Sequence, residues 1–116
     1  MFTLGATPPV YLATGPTDLR KGFNGLYGLI QSRWSRDPLG GEVFVFCNRR
    51  RDTLKIFFWE GDGLWVCAKR LEKGSFRWPT AGEASVSMSG AQLQLLLSGI
   101  DLAGSKRRDW WRKKGQ

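Results

Sequence analysis

Eighteen lysines and arginines are the side chains of this 116-residue chain best placed to do chemistry with a partner. Most fall into three clusters. Arg49, Arg50 and Arg51 sit between two apolar runs; Lys69, Arg70, Lys73 and Arg77 follow a third; Lys106, Arg107, Arg108 and Arg112 belong to a C-terminal tail. Arg20 and Lys21 form a further basic pair near the start of a helical pattern. Arginine presents a planar fork that pairs bidentately with phosphate, and it also stacks on bases. In the tail, Trp110 and Trp111 stand between basic triplets, an arrangement that lets charges hold phosphates while indoles stack on exposed bases. The tail carries +5 of a formal net charge of +8, and the sequence pI is near 10.1. Such a balance points to nucleic acid first and to an anionic membrane surface second. The rival reading of the same residues is a solvated face with a solubilising tail.

Catalytic chemistry is poorly provided for. The chain has no histidine, so the usual general base and many metal-ligand sets are missing. Glu60 and Asp62 are the closest carboxylate pair, but Glu60-Gly61-Asp62-Gly63 reads as turn chemistry. Neither a phosphate-binding loop nor a dinucleotide fingerprint occurs. Cys47 and Cys67, the two cysteines, both lie within apolar runs and read as buried reduced thiols. No cofactor, no metal and no enzymatic activity are expected. The N-terminus lacks the pattern of a signal peptide, and no apolar run reaches spanning length, which makes the cytoplasm the expected compartment.

These side chains must be held by an aromatic-rich core, since 41% of residues are apolar and 13% aromatic. The stretch from Glu42 to Pro79 contains apolar runs at Val43–Phe46, Leu54–Trp59 and Leu64–Ala68, separated by short polar turns. Each run has strand length and β-branched or aromatic character. They predict a three-stranded antiparallel meander with Arg49–Arg51 on one hairpin tip. Val10–Ala13 predicts a short edge strand, Ser75–Trp78 a brief further run, and Glu83–Met88 a weak strand. Leu19, Phe23, Leu26, Tyr27, Ile30 and Trp34 mark the apolar stripe of a helix over about 18–34, capped by Thr17 or Asp18. Gly22, Gly25 and Gly28 fall every third residue inside it. Each glycine costs roughly 1 kcal/mol in a helix interior, so the spacing predicts a close approach there, to the sheet or to a partner. Ser89 to Gln92 has capping-box spacing and introduces a short helix ending near Gly99.

Four stretches taken together, Thr17–Leu26, Val43–Asp52, Leu54–Ile56 with Trp59–Gly61, and Lys69–Gly74 with Phe76 and Trp78-Pro79, carry a family resemblance. The chain resembles the TnpB (Orf2-like) accessory proteins of the insertion-sequence sixty-six family of bacterial transposons, over roughly residues 10 to 103. The resemblance implies a bacterial accessory factor of DNA transposition acting beside a separate transposase that carries the catalytic residues. Lys55 is among the motif's polar residues by position, and the resemblance carries no catalytic assignment onto any of them. The expected fold is α+β: residues 1–105 form a single domain, with an antiparallel sheet of four to six strands, one helix on a face and a short C-terminal helix. A small, partly closed barrel is the alternative. Residues 106–116 form a basic flexible tail. The expected function is non-catalytic DNA binding, at transposon ends, through Arg20, Lys21, Arg49, Arg50, Arg51, Lys55, Lys69, Arg70, Lys73, Arg77, Lys106, Arg107, Arg108 and Arg112. The alternative is a module that docks on the transposase, through the glycine face or a sheet edge, without touching DNA. Homo-oligomerisation stays open.

Overall fold

In the computed structural model residues 9–79 and 85–98 are described. In chain order they form β1 (Val10–Ala13), α1 (Phe23–Trp34), β2 (Val43–Cys47), β3 (Thr53–Glu60), β4 (Gly63–Arg70), β5 (Ser85–Met88) and α2 (Gly90–Leu97). The five strands make one open sheet in the order β4-β3-β2-β1-β5. No closed barrel forms, and the fold is α+β with a C-terminal helix.

The meander is present as predicted, with β2 antiparallel to β3 and β3 antiparallel to β4. Gly61 takes a φ of 64° in the two-residue turn between β3 and β4, a conformation a side chain would resist. The expectation of a purely antiparallel sheet needs correction, because β1 runs parallel to β2, Val10 opposite Val43. Parallel neighbours require a crossover of a dozen residues or more, and α1 supplies it. Nor is β1 an edge strand: β5 pairs outside it, antiparallel, with Val10 opposite Met88.

All five residues of β2 are buried, which is what a central strand covered on both faces requires. On one face Phe44, Phe46 and Phe57 pack with Leu26 and Ile30 of α1, and Trp34 stacks on Phe44 and Phe46 at 5.7 and 5.5 Å between ring centroids. On the other face Val43, Val45, Leu54, Ile56 and Phe58 pack with Phe76, Trp78 and Leu93 and Leu96 of α2. Ser75–Trp78 is therefore no strand. It is a segment without regular secondary structure laid over the second face, where Trp78 Nε1 donates to the Ala13 carbonyl at 2.7 Å.

Helix α1 starts later than its sequence pattern predicts. Asp18 does not cap it; its carboxylate accepts the Arg20 backbone N–H at 3.0 Å and grips the Arg20 guanidinium. A short acidic side chain that bonds its own neighbourhood offers the backbone an alternative to helix, so the helix begins at Phe23 with Gly22 as an N-cap that makes no side-chain bond. Arg20 and Lys21 thus precede the helix instead of occupying its first turn. The glycine spacing does not mark contact with the sheet. An added Cβ would meet nothing within 4 Å at Gly22 or Gly28, and at Gly25 it would meet Lys21 Cβ at 2.8 Å. Helix α2 opens with the predicted capping box: Ser89 Oγ accepts the Gln92 N–H at 3.1 Å while Gln92 Oε1 accepts the Ser89 N–H at 2.9 Å.

Candidate nucleic-acid interface

The β2–β3 turn carries the first basic cluster and is built by Asn48. Its side-chain oxygen accepts the N–H groups of Asp52 and Thr53, both at 3.2 Å, and its amide donates to Asp52 Oδ1 at 2.8 Å. The Arg51 N–H closes the turn on the Asn48 carbonyl at 3.1 Å. Thr53 Oγ1 donates to the same Asp52 oxygen. The Asn48 amide, with Thr53 and the nearby Arg50 charge, holds the Asp52 carboxyl below the usual carboxylate range against a partial desolvation cost. Asp52 is thereby spent on shaping the turn, and Arg49 and Arg50 stand exposed at its tip.

Two long-range backbone bonds bring the second cluster to the same place. The Leu71 N–H donates to the Asp52 carbonyl and the Phe76 N–H to the Arg51 carbonyl, each at 2.7 Å. They bracket Lys73 and lead directly into Arg77, both exposed. Arg70 and Lys69 close β4 opposite Thr53 and Leu54, so they too lie at this end of the sheet. Neighbouring residues of a strand point to opposite faces. Lys69 reaches over the α2 side, where its Nζ donates to the Leu97 carbonyl at 2.7 Å. Lys55 reaches over the α1 side, donating to the Lys21 carbonyl at 3.1 Å. Both lysines keep donors to spare, Lys55 while tying the segment before α1 to the sheet and Lys69 while tying the end of α2 to it.

Among the described residues two ion pairs form, Arg20 with Asp18 at 2.8 Å and Arg36 with Glu42 at 3.2 Å. Lys21, Arg49, Arg50, Arg51, Lys55, Lys69, Arg70, Lys73 and Arg77 are in neither. Arg20 is different, since Asp18 neutralises it and is itself held well below the ordinary carboxylate range by it. Arg36 is occupied as well, lying 3.8 Å above the Tyr11 ring. The opposite end of the sheet carries Glu60 at the close of β3, Asp62 in the β3–β4 turn and Glu42 just before β2. Most cations outside the ion pairs thus gather at one end of the sheet, which also holds Asp52 and the exposed Glu72, while Glu42, Glu60 and Asp62 lie at the other with Arg36. Lys106, Arg107, Arg108 and Arg112, with Trp110 and Trp111, lie outside the described residues.

Nothing in this arrangement resembles a metal centre: among the described residues no three His, Cys, Asp or Glu side chains converge. Burial pushes the Cys47 thiol up to about 12, so it is a neutral core residue at physiological pH and no nucleophile. No described helix is long and apolar enough to cross a membrane. Reading the chain by local pattern missed two things. One is the shaping role of Asp52 and Thr53, signalled by the Asn48 and Asp52 that flank the arginines. The other is an exposed aromatic, Trp65, half-exposed on the free edge of β4.

The family model described as IS66 Orf2 like protein matches residues 8–107. Two curated relatives come from Sinorhizobium fredii. The uncharacterized protein y4jC is 37% identical over 99 residues, 85% of this chain and 85% of the relative. The uncharacterized protein y4hO is 42% identical over 101 residues, 87% of this chain and 88% of the relative. No solved structure matches the chain.

Proposed function

The chain belongs to the IS66 Orf2-like family, and on that premise we propose that it is a non-catalytic accessory factor of transposition that holds DNA with the basic end of its sheet. A separate transposase would carry the strand chemistry, in the bacterial cytoplasm, on transposon ends. The observation that supports this reading most is the gathering of cations that are in no ion pair. Arg49, Arg50, Arg51, Arg70, Lys73 and Arg77 gather at one end without a carboxylate partner, while Glu60 and Asp62 occupy the other. Guanidinium and ammonium groups that are free of acids can replace the counterions condensed on a duplex. Contacts of this kind position DNA without reading its sequence. Residues 106–116 would add affinity as a basic tail to the domain formed by residues 1–105.

The test is the affinity of the full chain for a blunt duplex of transposon-end sequence. Replacing Arg49 and Arg50 by Ala should weaken binding by roughly tenfold or more at about 0.1 M salt, as the loss of two phosphate contacts implies. Replacing Glu60 by Gln and Asp62 by Asn should not weaken it. Equal loss at both ends, or loss at neither, would refute the reading.

A second reading, docking on the transposase, is favoured by one observation. Edge strand β4 leaves a row of backbone groups unpaired beside the half-exposed Trp65, a surface suited to strand addition. The two readings use different parts of the molecule.

A further inference from the structure

Behind the basic end, on the α2 face, lies a cavity of about 550 Å³ lined by Arg51, Arg77, Phe76, Trp78, Met88 and Gln92, among others. Its volume falls in the range of about 300–1,000 Å³ typical of small-ligand sites. Phe76, Trp78 and Met88 back the cavity almost wholly buried, the partly exposed Pro79 and Val86 give it an apolar face, and two guanidinium-bearing residues stand on the lining. Gln92 gives its oxygen to the Ser89 N–H, so its NH₂ group is left to donate to an acceptor in the cavity.

Arg51 is the unusual member. Its φ is 63°, the left-handed region that glycine or asparagine enters far more cheaply than arginine. Its backbone is pinned there on both sides, by the Asn48 carbonyl at 3.1 Å and the Phe76 N–H at 2.7 Å. Backbone strain of this kind concentrates at functional sites. Here it sets an arginine, where glycine would make the easier turn, between the exposed tip and the cavity.

An anion-pairing rim, an apolar wall wide enough for a ring and a single amide donor together describe a nucleotide. We propose that this cavity accepts one unpaired nucleotide of a DNA strand, its phosphate on Arg51 and Arg77 and its base against the partly exposed Pro79 and Val86. Gln92 would donate to a ring nitrogen or carbonyl of the base. The proposal rests on the reading that the basic end holds DNA. It adds that the protein favours junctions between duplex and single strand, because a base still in the stack cannot reach such a pocket.

The test compares a blunt duplex with the same duplex carrying a short thymidine extension, using the full chain and its Arg51→Gly and Arg77→Gln variants. Thymidine monophosphate and inorganic phosphate are titrated separately by calorimetry. The extension should improve wild-type affinity by roughly tenfold, the scale of one stacked and hydrogen-bonded base. Both variants should lose that advantage, and Arg51→Gly should melt no lower than wild type because it relieves the strained φ. The monophosphate should bind more tightly than phosphate. Equal affinity for blunt and extended DNA, an advantage that survives in both variants, or a monophosphate no better than phosphate would overturn the proposal while leaving duplex binding intact. Failure of every DNA to bind would overturn the broader reading, and the monophosphate titration would then decide the cavity by itself.

Discussion

Asp52 shows how a single residue decides whether a cationic turn is usable. A carboxylate beside three arginines would ordinarily neutralise one of them. Here the Asn48 amide and the Thr53 hydroxyl both hold its Oδ1, and Arg49 and Arg50 form no ion pair with it and keep their charge for a partner. The same bonds make the turn sensitive to acid. The folded-state pKa of Asp52 is depressed, chiefly by Asn48, so its contribution is fully present above the unfolded value of about 3.9 and is lost as pH falls through the folded value. An Asp52→Ala variant should therefore melt below the wild type at neutral pH and draw level with it in strong acid. Thermal melts across that range check this. A gap that stays constant with pH would mean the ionised carboxylate contributes nothing to the fold.

At the scale of elements, α1 is where local pattern and structure part company, and the difference is testable. The three-residue glycine spacing suggests a close approach, yet Gly28 faces open space. Gly28→Ala should then stabilise the protein by about 1 kcal/mol through helix propensity and a less flexible unfolded chain. Chemical denaturation measures it, and a destabilised variant would restore the packing role. The meander was legible because each of its three strands pairs with its sequence neighbour across a short turn. The place of β1 was not, because Val10–Ala13 pairs in parallel with a strand some thirty residues away in sequence, and nothing local encodes that. The start of α1 was misread because Asp18 has two uses, cap or partner of Arg20, and the second prevails. For the interface, the arginine tip could be read directly from three consecutive residues. Its union with Lys73 and Arg77 depends on the Phe76 to Arg51 backbone bond, a tertiary contact without a sequence signature.

Across the whole molecule, a two-faced sheet leaves little surface for chemistry except its ends and its β4 edge. Helix α1 covers one face, and α2 with the 75–78 segment covers the other. The strand ends are consequently where charge can collect, and most cations outside the ion pairs collect at one of them. Such a molecule would approach a polyanion end-on, with the carboxylates of Glu60 and Asp62 pointing away and the β4 edge still open to a protein. The most direct measurement is the dependence of duplex affinity on salt concentration for the wild type and for the Arg49→Ala/Arg50→Ala variant. Each phosphate contact contributes about 0.9 to the slope of log affinity against log salt. The slope should become shallower by about 2 in the variant, in step with the two contacts removed. Parallel lines for the two proteins would contradict it.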